Sequence, residues 1–164
     1  MTGDAAVPWS EFAAHAPSLA AAAEARFRSH PHHVIATLRR DGSARLNGTN
    51  VWFTAGRLWF GMMGGTVRAA DLRRDPRAAL HSAPLEEQLP AGSGDARVSG
   101  RVTVLTPVDA RTLLESAVGD GSGADGGDFF ELHLESASLV EVHDGQVVVR
   151  SWTAAGGEQV RFRS

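Results

Sequence analysis

The sequence predicts an antiparallel β-barrel, closed or partly closed, with short helices at its mouth. Three observations predict it. Apolar and polar residues alternate with period two along several runs, as in Ala96, Val98, Gly100, Val102 and Val104 against Arg97, Ser99, Arg101 and Thr103. Turn dipeptides separate the runs: Asp41-Gly42, Ala55-Gly56, Asp144-Gly145 and Gly156-Gly157. The element order is helix, three strands, helix, two strands, helix, two strands. It lacks the strand–helix–strand alternation of a doubly wound sheet.

With 164 residues the chain reads as a single domain, residues 1–164, long enough for a sizeable core. An apolar fraction of 43% and a charged fraction of 21% are those of a globular protein. The net charge of −3 argues against nucleic acid or an anionic membrane as partner. No run of about 18 apolar residues predicts a membrane helix. The absence of cysteine removes disulfides, thiolate metal sites and cysteine nucleophiles. All 16 basic residues are arginine, which removes Schiff-base lysines and the Walker lysine. Met1-Thr2-Gly3-Asp4 has neither a basic nor an apolar leader character, so a cytoplasmic protein is expected.

Trp9 to Ser29 reads as helix in two pieces, the first capped by Ser10, the second restarted at Pro17-Ser18. Leu19, Ala23 and Phe27 share one face, laid over a sheet. His30-Pro31-His32-His33 reads as a connection rather than a metal site, because proline imposes an extended bend and no second ligand cluster is apparent. His33 to Arg39 alternates as a strand. Asp41-Gly42 predicts a type I′ hairpin into a long extended run, Ser43 to Phe53. Arg57 to Met63 alternates again, so the first three strands are expected to form a meander. Asp75-Pro76 ends the next helix. Arg77 to Ala83 is a fourth strand, Pro84 to Gly94 a loop expected to act as a mobile flap, and Asp95 to Leu105 a half-buried strand.

Thr106-Pro107 opens a helix to about Val118. Gly121 to Gly126 matches GxGxxG, yet it follows a helix and precedes a strand, the reverse of the dinucleotide fingerprint. Asp120, Asp125 and Asp128 lack EF-hand spacing, so Gly119 to Asp128 reads as a flexible loop. Phe129 to Val142 is a long strand bent near Ser136-Ala137. Gln146 to Thr153 and a short Gln159 to Phe162 complete the chain.

Arg45 to Leu72 carries the chemistry. Gly64-Gly65 breaks a strand, and Thr66 stands at the N-cap of a helix through Leu72. A helix start offers unpaired N–H groups and a positive dipole end to an anion. Thr66 adds a hydroxyl, Arg68 a cation in the first turn, and Arg45 can reach the same place across the hairpin. This set suits a phosphate monoester, which a guanidinium grips through two parallel hydrogen bonds. An ordinary strand–glycine–helix connection with solvated arginines fits the same spacing.

Four stretches occur in order within residues 19 to 105. His33-Val34-Ile35-Ala36-Thr37-Leu38 runs through Asp41-Gly42 to Ala44-Arg45. Val51-Trp52-Phe53 is followed by Gly56-Arg57-Leu58-Trp59-Phe60-Gly61. Gly65-Thr66-Val67-Arg68-Ala69 leads to Leu72-Arg73-Arg74-Asp75-Pro76-Arg77. Ala96-Arg97-Val98-Ser99-Gly100 is the last. In these the chain resembles the pyridoxamine 5′-phosphate oxidase-like superfamily, the FMN-binding split antiparallel β-barrels, a mainly β fold with short helices (α+β).

The resemblance implies a homodimer with a cofactor in each of two interface clefts. It implies a phosphate held by Arg45, Thr66 and Arg68, and a flavin ring lying along Asn47, Gly48, Thr49, Asn50, Met62 and Met63. Trp152 of the partner subunit would close the cleft. Arg68 stands where many members have lysine, while Val67 and Asn50 replace basic residues found in others. Alternation puts Asn47 and Thr49 on the Arg45 face, and Asn50 on the other unless a bulge at Gly48 changes the phase. Met62 reads equally as core, and Trp152 equally as a packing residue.

The function implied is an FMN-dependent oxidoreductase acting on a small molecule. Thr153-Ala154-Ala155-Gly156-Gly157 lacks the arginine and histidine that classical members carry there for the substrate phosphate, which argues against vitamin B6 oxidation. One alternative is a reductase using the deazaflavin coenzyme in the same cleft, with Arg57, Arg73, Arg74 or Arg77 for its longer phosphorylated tail. Another is a non-catalytic flavin-binding protein. A haem-degrading member would need an axial histidine; His81 and His133 read better as core or surface residues.

Overall fold

The computed structural model describes residues 5–83, 94–143 and 145–163. The expected flap therefore lies outside the described residues except for Gly94, and so does Asp144 of its turn. Helices α1 (Trp9–His15) and α2 (Pro17–Arg28) lead into strands β1 (His33–Leu38), β2 (Ala44–Thr49), β3 (Val51–Thr54) and β4 (Arg57–Met63). Helix α3 (Val67–Arg74) precedes β5 (Arg77–His81) and β6 (Gly94–Val104). Helix α4 (Pro107–Val118) and a 3₁₀ turn (Ser122–Gly126) precede β7 (Gly127–His143), β8 (Gln146–Thr153) and β9 (Gly157–Arg163).

All pairings are antiparallel, in the order β2-β1-β5-β6-β7-β4-β3, with β8 on β7 and β9 on β8. Strand β7 organises the sheet. One edge meets β6 along its length; the other meets β4 over Gly127 to Glu131 and β8 over Ser136 to His143. Sharing an edge between two strands gives the split antiparallel barrel that the patterning predicts.

The expected meander does not form. β2 pairs with β1, and β3 pairs with β4, at opposite ends of the strand order. The run from Ser43 to Phe53 is one stretch in sequence but breaks at Asn50, and its two halves carry the chain from one end of the sheet to the other. Alternation reports which side chains face inward, not which strand lies alongside. The Asp41-Gly42 hairpin also differs from expectation. Gly42 has φ of 84°, while Asp41 does not share a positive φ. The Gly42 amide donates to the Arg39 carbonyl at 2.9 Å and the Arg39 amide to the Ser43 carbonyl at 2.8 Å. This is a three-residue loop ending in a left-handed glycine, the other common use of Asp-Gly. Among the described residues, a two-residue turn with both φ positive is found at Ala55-Gly56.

Further differences are local. Pro8, not Ser10, precedes α1, and no side chain caps it; the Ser10 amide donates instead to the Gly56 carbonyl at 2.9 Å. Val104 is exposed at the end of β6. The bend in β7 is a bulge at Glu135, where the β6 register shifts between Ser99 and Gly100. The stretch expected as a flexible loop contains the 3₁₀ turn, which buries Ala124.

Inward residues make one core from Phe12, Leu19, Phe27, Ile35, Phe60 and Leu132 with their neighbours. The Leu19–Ala23–Phe27 face of α2 closes one side of it, as predicted. Outside the barrel, Leu113 and Leu114 of α4 cover Trp59 and Phe129, with Trp52 stacked on Trp59 at 4.7 Å.

His33 points into the core, its ring edge-on to Phe27 at 5.1 Å. Its Nδ1 accepts from the Ala83 amide at 3.1 Å, which places the proton of the neutral ring on Nε2. That atom is buried with no partner among the described residues. Burial pushes the His33 pKa below its ordinary value of 6.5. The unfolded chain then binds a proton that the native one refuses, so stability is full above pH 6.5 and falls as pH drops toward the native pKa. His33→Leu is expected to flatten the fall in melting temperature between about pH 7 and pH 5. An identical fall in wild type and variant would refute it.

Candidate functional site

The site forms where β4 turns into α3. Gly65, with φ of 73°, makes the bend. Its amide donates to Asp128 Oδ2 at 3.0 Å, and Arg73 Nη2 donates to Asp128 Oδ1 at 2.5 Å. Asp128 thus ties the bend, α3 and the start of β7 together, and the Arg73 guanidinium holds its carboxyl below the usual range. Thr66 is the N-cap as predicted, accepting from the Ala69 amide at 3.3 Å. The Val67 and Arg68 amides that follow have no partner inside the helix.

Arg68 leaves the first turn of α3 and crosses to β2. Its Nη1 donates to the Gly48 carbonyl at 2.7 Å, and its Nε meets Met62 Sδ at 3.2 Å. Neither acceptor is anionic, and among the described residues no carboxylate pairs with it. Partial burial lowers its pKa, but a guanidinium remains charged. A guanidinium held by neutral acceptors beside the amides of a helix start is an arrangement that favours an anion.

Arg45 is differently placed. Its Nε donates to Asp71 Oδ2 at 2.6 Å, and Arg74 Nη1 donates to Asp71 Oδ1 at 2.9 Å. The Asp71 side chain is 4% exposed. Arg45, expected at a phosphate with Thr66 and Arg68, has its Nε taken by Asp71, a carboxylate it shares with Arg74, which leaves its outer Nη groups for a ligand. Arg45 holds the Asp71 carboxyl below the usual range, with Arg74 adding to the effect. This stability is present above the ordinary carboxylate pKa and lost as pH falls through the native one. Asp71→Asn is expected to cost about 2 kcal/mol, since it leaves two half-buried guanidiniums unpaired, and a denaturant titration checks it.

Asn47 and Thr49 share the Arg45 face of β2, in register with Ile35 and His33. Asn47 is exposed and Thr49 buried, its hydroxyl donating to the Asn50 carbonyl at 3.2 Å. The pairing runs unshifted through Gly48, so no bulge brings Asn50 onto that face. Asn50 Oδ1 instead meets His32 Nδ1 at 2.9 Å. Met62 is a core residue whose sulfur reaches Arg68, whereas Met63 is 80% exposed. Both line a cleft of about 450 Å³ with Trp52, Gly126 and Phe129. Trp152 does not join the group. It is 2% exposed and packs on Phe12 at 4.8 Å in the core of its own chain, which corrects its expected place over a cofactor.

Sequence reasoning missed Asp71 and Asp128. The Asp71–Arg74 spacing of i, i+3 was a visible signal for half of one contact. The Arg45–Asp71 and Arg73–Asp128 pairs bring together residues 26 and 55 apart, which no local pattern records. His81 and His133 are engaged within the chain, through the Ser82 carbonyl and the Thr103 hydroxyl respectively.

The family model described as pyridoxamine 5′-phosphate oxidase matches residues 19–141. No curated protein matches the chain. Among solved structures, the heme binding protein from Mycobacterium smegmatis superposes with a TM-score of 0.62 at 20% identity, over 82% of this chain and 58% of that one. A pyridoxamine 5′-phosphate oxidase-related, FMN binding protein from Nostoc punctiforme gives 0.57 at 14% identity, over 99% and 100%. PhzG from Burkholderia lata, in complex with tetrahydrophenazine-1-carboxylic acid, gives 0.61 at 12% identity, over 96% and 93%. The chain spans just over half of the M. smegmatis protein, and 54% of a similar Agrobacterium tumefaciens protein of unknown function. At these identities the likeness is one of fold.

Proposed function

The chain belongs to the pyridoxamine 5′-phosphate oxidase family, and from that premise we propose that it binds FMN, with the phosphate at the start of α3, and acts as a flavin-dependent oxidoreductase on a small molecule. Arg68 is the observation that carries this reading: a positioned cation with no anion of its own among the described residues. The residues present fit the group. Arg68, the Val67 and Arg68 amides and the Thr66 hydroxyl would hold the phosphate. A Cβ built on Gly48 would meet nothing within 4 Å, so β2 is open to a flat ring there. Asn47 offers an amide for the polar edge of such a ring. Bound FMN supplies hydride or electron transfer, while the chain binds it, orients it and excludes water.

A second copy over this site is part of the proposal. Leu46, Met63 and Val67 are 67%, 80% and 63% exposed, on β2, β4 and α3, the elements that carry Gly48, Met62 and Arg68. Large exposed apolar side chains on the three elements that meet at Arg68 suit a homodimer with the cofactor between subunits.

The test is a parallel titration of the purified protein with FMN and with the deazaflavin coenzyme. Tighter FMN binding with turnover of the reduced cofactor supports the oxidoreductase. Preference for the deazaflavin moves the reading to the deazaflavin-dependent reductase. Binding without turnover against any acceptor leaves a flavin-binding protein, and binding of neither overturns the proposal.

A further inference from the structure

A second pocket, of about 490 Å³, lies where the ends of α2 and α4 meet β3. It shares Trp52 alone with the cleft along Met62 and Met63. Its walls are aromatic. Trp52 is half-buried: Trp59 stacks on it at 4.7 Å, and the rest of the ring borders the pocket. Phe53 is half-buried beside it, and Phe27 also lines the space. No carboxylate is among the described residues that line it.

The polar groups around these rings are mostly acceptors. β3 ends the strand order, so one edge is unpaired. The Phe53 carbonyl faces that edge, since Arg28 Nη2 donates to it at 2.9 Å, and the Val51 carbonyl two residues earlier faces the same way. Arg28 is the last residue of α2, and Ser116 and Ala117 lie in the last turn of α4, where carbonyls have no amide of their own helix to meet. Two helix C-termini thus bring the negative ends of their dipoles to one pocket. The Ser29 hydroxyl donates to the Arg26 carbonyl at 2.7 Å, so at 3.0 Å it accepts from His30 Nδ1. In the neutral ring Nε2 is then one more acceptor. The chain's own cation already uses this wall: the Arg28 guanidinium sits 5.5 Å over the Phe53 ring. Its charge is answered by Glu24 at 2.7 Å, so it does not make the rim positive.

We propose that this pocket binds an organic ammonium ion, a flat apolar body carrying one positive charge. The body lies against Trp52 and Phe53, and the ammonium group meets carbonyls and ring faces. The site is separate from the start of α3 and holds whether or not FMN binds there.

The probes are 2-naphthylmethylammonium, 2-naphthylmethanol and 2-naphthoate, one ring system with charge +1, 0 and −1, titrated calorimetrically. The ammonium is expected to bind about tenfold or more tighter than the alcohol, and the naphthoate weakest of all. Ser116→Lys is expected to weaken the ammonium about tenfold and Ser116→Glu to tighten it about threefold, while the alcohol stays within about twofold in both. Ser116 is exposed, and lysine suits the last turn of a helix, so the fold is kept. Trp52→Ala is expected to weaken ammonium and alcohol alike, which places both on that ring. Equal affinities for the three probes, tightest binding of the naphthoate, binding of none, or an ammonium affinity that does not follow the charge at position 116 overturns the proposal. The Ser116 pair keeps the test decisive should Trp52→Ala fold poorly.

Discussion

Gly100→Ala is expected to break the barrel, with a loss of at least about 3 kcal/mol and a fall in melting temperature of about 10 °C. Gly100 sits on β6 at the point where the register against β7 shifts, with Glu135 the extra residue opposite. A Cβ built there would lie 1.9 Å from the His133 carbonyl oxygen and 2.9 Å from the Glu135 amide nitrogen. Both are backbone atoms of the paired strand, so no rotamer change relieves the overlap. Either the bulge is rebuilt or β6 and β7 part, and their pairing runs from Gly94 to Val104 through the middle of the sheet. Gly48→Ala is the control. Its Cβ meets nothing within 4 Å, so its melting temperature is expected to stay within about 2 °C of wild type. A Gly100→Ala protein melting as high as Gly48→Ala would sink the argument from the bulge.

The contrast between these two glycines marks what the sequence makes legible. Period-two alternation placed the strands well, and Arg57 to Met63 and Gln146 to Thr153 match to the residue. The Thr66 and Thr106 caps, with the helices they open, were equally readable, because a cap is a contact between residues three apart. What alternation cannot carry is the identity of a neighbour. Nothing in Ser43 to Phe53 distinguishes one long strand from two that part at Asn50, since the barrel closes by tertiary pairing alone. Asp41-Gly42 suits two turn geometries, and only the register against Ser43 decides between them. The site divides along the same line. Thr66, Arg68 and the Arg45–Asn47–Thr49 face follow from local rules. That Arg45 is ion-paired and Arg68, among the described residues, is not depends on Asp71, which α3 brings to β2. Trp152 shows the converse: an aromatic residue fits a cleft or a core equally well by type, and its position opposite Ala137, against Phe12, assigns it to the core.

The difference between the two arginines gives the sharpest test of the site. Arg68→Gln is expected to weaken FMN binding by about 100-fold or more, the scale of a lost charged two-point phosphate contact. It is expected to lower the melting temperature little, because no ion pair among the described residues is broken and the Gly48 carbonyl lies at an exposed edge. Arg45→Gln should do the reverse in part. It strips the buried Asp71 of one partner, so it costs stability as well as affinity. Arg68→Lys keeps the charge but not the two-pronged geometry, and is expected to recover all but about tenfold of the affinity. Fluorescence titration with FMN and a thermal melt on the same samples separate the effects. If Arg68→Gln lost stability in proportion to affinity, Arg68 would be a structural residue bridging β2 to α3. If it kept full affinity, the phosphate would lie elsewhere. Only loss of binding without loss of fold fits a cation that the barrel holds in place for an anion it does not itself supply.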